Sequence, residues 1–381
     1  MTNTRGRTPA HSSAFSSPTG GFTELAVGSG SDSDAEARTV KLRSSAAVAA
    51  TIPYMLGFVP ADSIVSTFFD RHGRLRLSAR FDLPKRGGDL GSVAEVISRE
   101  LARCEGVSMH LATFSDDEEL CGDVLDALSE LCRRRDIELL GAGMVAGNRW
   151  KSLTAAGCVE SDGEPLTEGD PLDAACSMVL AGRSFVADRS DIEELVTGVE
   201  EVREAVQVEL AQLRGRGDRR STQSSGDSAD DAQRRLEMEE SIVGYLCGQR
   251  HAPEAPELAD WAVSFRDSRL REPVLWCLSP AAPGEHEDLS VDDIISAWSW
   301  WVRATPSDAV APVVAAMAAF AWQSGNGVLA AIAAEYALEC DPASRLGRLV
   351  SRAVSASTPP AVWIDLMRSM TVEELRGCRW P

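Results

Sequence analysis

The sequence predicts a mixed α/β domain, with a partly parallel sheet and flanking helices, followed by an all-α domain. Three observations carry that expectation. Between residues 63 and 146, runs that alternate apolar and polar take turns with amphipathic runs of helical period. From 237 to 355 the apolar residues follow helical period alone. Between these regions, 215–232 is rich in Gly, Ser, Arg and Asp without apolar period, as a flexible linker is.

Residues 1–38 are rich in Ser, Gly, Thr and Asp and are expected to be a disordered arm. Order is expected from Thr39, with a short strand at 40–43, an N-cap at Ser44 or Ser45 and a helix over 46–52. Pro53 should kink this helix or open its last turn, and Gly57 suits a left-handed exit. The turn signal Pro60-Ala61-Asp62-Ser63 leads into a strand over 64–69, a tight loop at 70–73 and an alternating strand over 74–82. A helix over 91–103 and a strand over 106–114 follow. A capping-box pattern at 115–118 then opens a helix through Cys132, and a strand covers 136–145. A hairpin strand at 147–153 and a helix over 170–182 complete an α/β domain of residues 39–190. An acidic helix over 191–214 and the linker make up 191–232. The all-α domain is expected over 233–357, with 358–381 as a C-terminal tail.

The formal net charge is −20. Phosphate binding draws on clustered Lys and Arg, so no nucleic-acid partner is expected. No run of about 18 apolar residues occurs, so neither a membrane span nor a membrane partner is expected. Arg5 and Arg7 precede no apolar segment of the kind a signal peptide carries. The nine cysteines are odd in number, scattered and without C-x-x-C spacing. That argues against a zinc site or disulfide framework and for buried thiols in a reducing cytoplasm. No metal and no cofactor is expected. Lysine occurs only at 41, 85 and 151, against an excess of arginine and alanine, the coding bias of a GC-rich actinobacterial genome.

The motif Pro53-Tyr54-x-Leu56-Gly57-Phe58-x-Pro60-x-Asp62-Ser63, followed by Arg80-x-Asp82-x-Pro84, resembles the actinobacterial family called domain of unknown function 4192. Gly147-Asn148-Arg149-Trp150 with Ser152-Leu153, and Gly163-x-Pro165-Leu166, are similar to the same family. The resemblance runs from about residue 40 to about 355. The family pattern carries a cysteine cluster near 155–159, where this chain has only Cys158, so no metal or redox role follows from it. The resemblance implies fold and origin, not activity. In the C-terminal region, the segment from Ala321 to Gly327 separates two apolar helices, the second ending Ala337-Leu338-x-x-Asp341-Pro342. This resembles one tetratricopeptide-type helix–turn–helix unit, in which Ala318, Ala330, Ala334 and Ala337 allow close packing. No second copy recurs at a period of about 34 residues, so a single helical hairpin is expected, not an array.

Asp62, Ser63, Arg80 and Asp82 form the first candidate ligand-binding group. Pairing about the 70–73 loop sets position 63 opposite about position 80. An arginine flanked by acids at a strand end can hold a carboxylate or phosphate bidentately. A turn-capping Asp62 and a structural Arg80 ion pair explain the same residues. Asn148, Arg149 and Trp150 form the second group, suited to a small anionic or aromatic ligand. They suit equally a tryptophan packed on the sheet with Arg149 over its edge.

Other motifs carry less. Ser63 has no G-x-S-x-G context, and His72 and His110 are the only histidines of its domain, so a Ser–His–Asp hydrolase has little support. Gly141, Gly143 and Gly147 lack the spacing and the following helix of a dinucleotide fingerprint. Trp298 and Trp301 share a helix face and are expected in the core, while Trp300 points elsewhere, as a partner contact does.

The function expected is binding or regulation, with a small anionic ligand on the α/β domain and a protein partner on the helical domain. The alternative is a hydrolase or transferase acting on an anionic small molecule. That alternative requires Asp62, Arg80 and Arg149 within about 12 Å of one another.

Overall fold

The structure, a computed structural model, describes residues 23–27, 38–85, 87–103, 107–154, 159–160, 162–181, 183–220, 229–279, 290–356 and 358–377. The chain divides into two compact units. The first contains Thr39–Ile52 and Ala61–Met178, and the second contains Pro53–Pro60 and Val179–Pro381.

Part of the segment expected to be a disordered arm is a strand. β1 (Thr23–Val27) pairs with β2 (Arg38–Leu42) in a two-stranded sheet. Ser44 caps the next helix, its Oγ accepting from Ala47 N at 3.1 Å. α1 (Ser45–Leu56) runs past Pro53, which stands in its last turn. Gly57 N donates to Pro53 O at 2.7 Å, and its φ of 82° supplies the left-handed exit.

β3 (Ser63–Phe69) and β4 (Leu75–Asp82) form the expected hairpin. Asp70 organises the loop, its Oδ1 accepting from His72 N and Arg74 N while Gly73 takes a φ of 74°. α2 (Gly91–Arg103), β5 (Ser108–Phe114), α3 (Glu118–Arg134) and β6 (Glu138–Ala146) follow. Asp117, not Ser115, is the N-cap of α3, its carboxylate accepting from Leu120 N at 3.0 Å. β7 (Arg149–Ser152) turns back on β6 through Gly147 and Asn148, both at positive φ as a type I′ turn requires. β8 (Glu164–Pro165) and α4 (Gly169–Leu180) close this part of the chain.

The main sheet has the order β4-β3-β5-β6-β7-β8. Within this sheet only β5 and β6 run parallel, because α3 carries the chain from one to the other. Alternate side chains point to opposite faces. Ile64, Phe68, Met109 and Leu111 face α2 and α3, meeting Val93, Ile97, Leu125 and Leu128 in one buried cluster. The amphipathic period of α2 and α3 places those residues on a single stripe, so burying it fixes both helices on this face.

The second unit is helical. Its elements are α5 (Arg189–Thr197), α6 (Arg203–Arg220), α7 (Ala229–Leu246), α8 (Ala255–Ser264), α9 (Ser268–Cys277) and α10 (Val291–Ala304). α11 (Ala311–Gln323), α12 (Gly327–Cys340), α13 (Arg345–Ser355), α14 (Pro360–Arg368) and α15 (Val372–Gly377) complete it. α11 and α12 form the expected helical hairpin, with Gly325 at a φ of 80° and Asn326 capping Leu329 N. Ala318, Ala330, Ala334 and Ala337 are fully buried, so the two helices approach closely. Trp298, Trp301 and Phe320 stack in the core beside them, and Trp298 Nε1 donates to Val313 O at 3.2 Å.

Several boundaries differ from expectation. The acidic segment is two helices, α5 and α6, separated by residues 198–202. There Glu200 leaves the helical path to pair with Arg303. α5 packs on α10 and α12, and α6 on α8, so both belong to the helical unit, which begins well before 233. α6 runs to Arg220 and α7 starts at Ala229, so the described chain enters the expected linker from both sides. Residues 221–228 of that linker lie outside the described residues, as do 1–22, 28–37 and Cys158 with its neighbours 155–157. Trp300 does not stand free; its ring lies 6.0 Å from that of Tyr245.

The tail also differs. Pro360 starts α14 instead of ending the packed chain, since proline suits a first helical position. Met367 and Leu375 are buried, and Arg376 pairs with the buried carboxylate of Glu239 at 2.7 and 3.0 Å.

Three stability measurements follow. A Cβ on Gly143 would lie 2.4 Å from Lys151 O and 2.6 Å from the Trp150 ring, so Gly143→Ala should cost about 2 kcal/mol in denaturant unfolding. Gly215→Ala, on the exposed side of α6 with open space around it, should raise stability by about 0.5–1 kcal/mol. Arg376→Ala leaves Glu239 buried without its cation and should cost about 2–4 kcal/mol, read as a lower thermal midpoint.

Candidate functional site

The strand registers place one residue of each main-sheet strand in a single row: Asp82, Ser63, Phe114, Val145, Trp150 and Glu164. This row lies at the carboxyl ends of the parallel pair β5 and β6, the end at which open α/β sheets hold ligands. The first predicted group does converge there. Ser63 faces Asp82, and Arg80 faces Val65, so the pairing is offset by two residues from the one expected.

Arg80 spans that offset by leaning toward the strand end. Its Nε donates to Ser63 Oγ at 2.9 Å, and its Nη1 lies 2.5 Å from Asp82 Oδ1. Ser63 Oγ in turn donates to Ala61 O at 2.6 Å. Asp62 takes a φ of 41°, which lets its carbonyl accept from Leu83 N and its Oδ1 accept from Ser115 Oγ at 2.8 Å. The group is thus brought together, with each of its polar side chains engaged by another part of the chain. The ion pair is open on one side, the Asp82 side chain being 84% exposed and that of Arg80 21%.

The second group disperses. Arg149 Nε and Nη2 donate to the carbonyls of Asp162 and Gly163, both at 2.7 Å, so its guanidinium fastens the loop before β8. Asn148, at a φ of 62°, serves the turn, and its carbonyl accepts from Leu166 N at 3.1 Å. Trp150 is 2% exposed and stacks not on Arg149 but on His110, with ring centroids 5.0 Å apart. Its Nε1 donates to Ser152 Oγ at 3.1 Å.

The same registers set the separation of Asp62, Arg80 and Arg149. Arg80 on β4 and Arg149 on β7 are four strand spacings apart, about 19 Å, and their side chains leave opposite faces. The common pocket required of Asp62, Arg80 and Arg149 does not form. Ser63 lies across from Phe114 and His110 across from Thr67, four residues further along, so about 13 Å separates them. His72 sits in the exposed β3–β4 loop, its Nε2 accepting from Arg71 Nε. Among the described residues, no cluster of His, Cys, Asp and Glu is arranged to hold a metal ion.

His110 is fully buried on the face of the sheet opposite α2 and α3, near Ser45 and Gly141. Neither ring nitrogen makes a hydrogen bond of ordinary geometry. Burial pushes its pKa down to about 4, the nearby Ser45 backbone pulling the other way. A neutral imidazole stacked on Trp150 is the state this site favours.

The helical unit holds a feature that the sequence reading missed. A groove of about 1210 Å³ runs along α9, α11, α13 and α14. Trp322, Trp363 and Met367 line it, and Trp322 Nε1 donates to Thr358 O at 3.2 Å. Leu349, Val362 and Leu366 also line it and are 46%, 60% and 48% exposed. Arg345 and Arg352 stand beside them. One wall was legible in the strongly amphipathic run of α13; the other was not, because 358–381 read as a tail.

These features define a two-unit protein: a mixed sheet with helices on it, and a helical unit bearing an apolar groove. The chain belongs to the family described as Domain of unknown function (DUF4192), whose model matches residues 46–361. The chain matches no curated protein and no solved structure with which it was compared. No helix among the described residues is long and apolar enough to cross a membrane.

The buried imidazole gives a pH signature. Unfolded His110 takes a proton near pH 6.5 and folded His110 only near 4, so between these values the unfolded chain binds more protons. Stability should therefore fall as pH drops from about 6.5 to about 4, by about 3 kcal/mol at most. His110→Phe should flatten that limb in urea titrations; an unchanged slope would assign it to other groups.

Proposed function

We propose that this chain is a binding or regulatory protein that docks a segment of a protein partner in the groove of its helical unit. The observation that carries the proposal is the exposure of Leu349, Val362 and Leu366 on helices that line one groove. Large apolar side chains gathered at a concave surface mark interaction sites, and a groove between helices suits an amphipathic helix. In this reading α11 and α12 act as a tetratricopeptide-like hairpin beneath the groove. The setting we propose is an actinobacterial cytoplasm. Its support is that Cys121, Cys132, Cys247, Cys277 and Cys340 are free thiols whose pKa burial raises.

A small anionic ligand at the sheet end is a secondary part of the proposal. It rests on the open Arg80–Asp82 pair, where a ligand carboxylate would take the place of the exposed Asp82 side chain.

Peptides of about 18 residues with one leucine stripe and acidic, neutral or basic flanks test the docking reading. At least one should quench the Trp322 and Trp363 fluorescence of the full chain saturably. The double variant Leu349→Asp/Leu366→Asp should weaken that binding at least about tenfold with its thermal midpoint nearly unchanged, as for exposed positions. If no peptide of any charge binds, the docking reading is lost.

A further inference from the structure

The groove carries a charge pattern that selects among apolar partners. Arg345, Leu349 and Arg352 are spaced i, i+4 and i+7 on α13, so they form one stripe along its exposed side. At 1.5 Å per residue the two arginines lie about 10.5 Å apart along the helix, with Leu349 between them. Val362 and Leu366, spaced i and i+4 on α14, add a second apolar row to the same groove.

The other charged side chains in the groove each hold a polar partner. Arg271 pairs with Glu272 at 2.8 Å, and Asp308 with Arg214 at 2.6 Å. Arg266 Nη2 donates to Asp308 O at 3.1 Å, and Asp341 Oδ1 accepts from Ala343 N at 2.9 Å. Arg348, on the same helix, is tied to the carbonyls of Pro342 and Ala343. Among the described residues Arg345 and Arg352 have no acidic partner within ion-pair distance. Among the described residues, the lining's charged side chains without a polar partner are these two cations, which flank an apolar stripe on a chain whose net charge is −20.

We infer that the groove takes an acidic amphipathic α-helix of a partner protein, with carboxylates seven residues apart and apolar residues between them. Such a helix repeats the spacing of α13, so both its carboxylates meet an arginine while its apolar stripe covers Leu349, Val362 and Leu366. A single-headed amphiphile has one anion for two separated cations. A nucleic-acid backbone sets charge where this surface is apolar. The inference rests on the groove being the docking face, and it adds the sign of the partner's charge.

The test uses the full chain and two peptides of about 18 residues that share a leucine stripe. One carries glutamate at both positions flanking the leucines and the other carries lysine, each followed by anisotropy at about 0.1 M salt. The glutamate peptide should bind at least about tenfold tighter, gain helical circular dichroism on binding, and lose affinity as salt rises. Arg345→Gln/Arg352→Gln should erase the preference, and Arg345→Glu/Arg352→Glu should reverse it toward the lysine peptide. Equal binding of both peptides, lost in Leu349→Asp, would overturn the acidic partner while leaving the docking face intact. Binding of neither peptide overturns both. Arginine-dependent binding to phosphatidylglycerol vesicles without peptide binding would make the occupant a membrane surface. Self-association abolished by Leu349→Asp would make it a second copy of this chain.

Discussion

Strand β3 is the constraint on which the α/β unit depends. All seven of its residues are buried, so every backbone N–H and C=O it carries must find a partner in a neighbouring strand. It satisfies them by antiparallel pairing with β4 on one side and β5 on the other. A shift of one residue would turn Ile64 and Phe68 away from α2 and α3 and set Ser63 and Thr67 toward those helices, so the register is fixed by the core as well as by the hydrogen bonds. Asp62 begins this strand in a left-handed conformation, which aims its carboxylate at Ser115 and its carbonyl at Leu83. The ends of β3, β4 and β5 are thereby tied together by side chains that a sequence reader would pick for ligand binding.

That arrangement separates positioning from chemistry. Arg80 links Ser63 to Asp82 across the strand end, and Arg149 secures a loop on the far side of the sheet. Charged side chains at strand ends often serve this purpose, because a turn backbone leaves carbonyls and amides in need of partners. His110 is a different case. Its unbonded nitrogens are tolerated because the neutral ring stacks on Trp150 and carries no charge into the interior.

The helical unit is built on small residues. Every residue of α11 except Pro312 is buried, and its alanines let α12 lie close against it. Larger aromatic residues fill the space on the α10 side, where Trp298, Trp301 and Phe320 stack. On the opposite side α13 and α14 meet α11 without covering their own exposed rows, and the groove is what that packing leaves open. α15 closes one end through Leu375, held in place by the pair between Arg376 and the buried Glu239.

The order of strands and helices from β2 to β7, the 70–73 loop, the left-handed Gly57 and the α11–α12 hairpin were all legible in the residues. Each depends on local pattern: alternation, helical period, or a glycine that the turn requires. The family motif around 53–63 was legible for the same reason. Two kinds of feature were not. The split at Gly198 and the packing of 360–377 are decided by distant partners, Arg303 in one case and Glu239 with Trp276 in the other. The fate of the candidate site residues was decided by register. Sequence placed Asp62, Ser63, Arg80, Asp82, Asn148, Arg149 and Trp150 at turns and strand ends, as the structure does. Only the pairing order β4-β3-β5-β6-β7-β8 determined that the first four meet and that Arg149 lies about 19 Å from Arg80. Local chemistry writes an element into the sequence, while distance between elements arises only when non-local hydrogen bonds and a shared core choose one pairing among several.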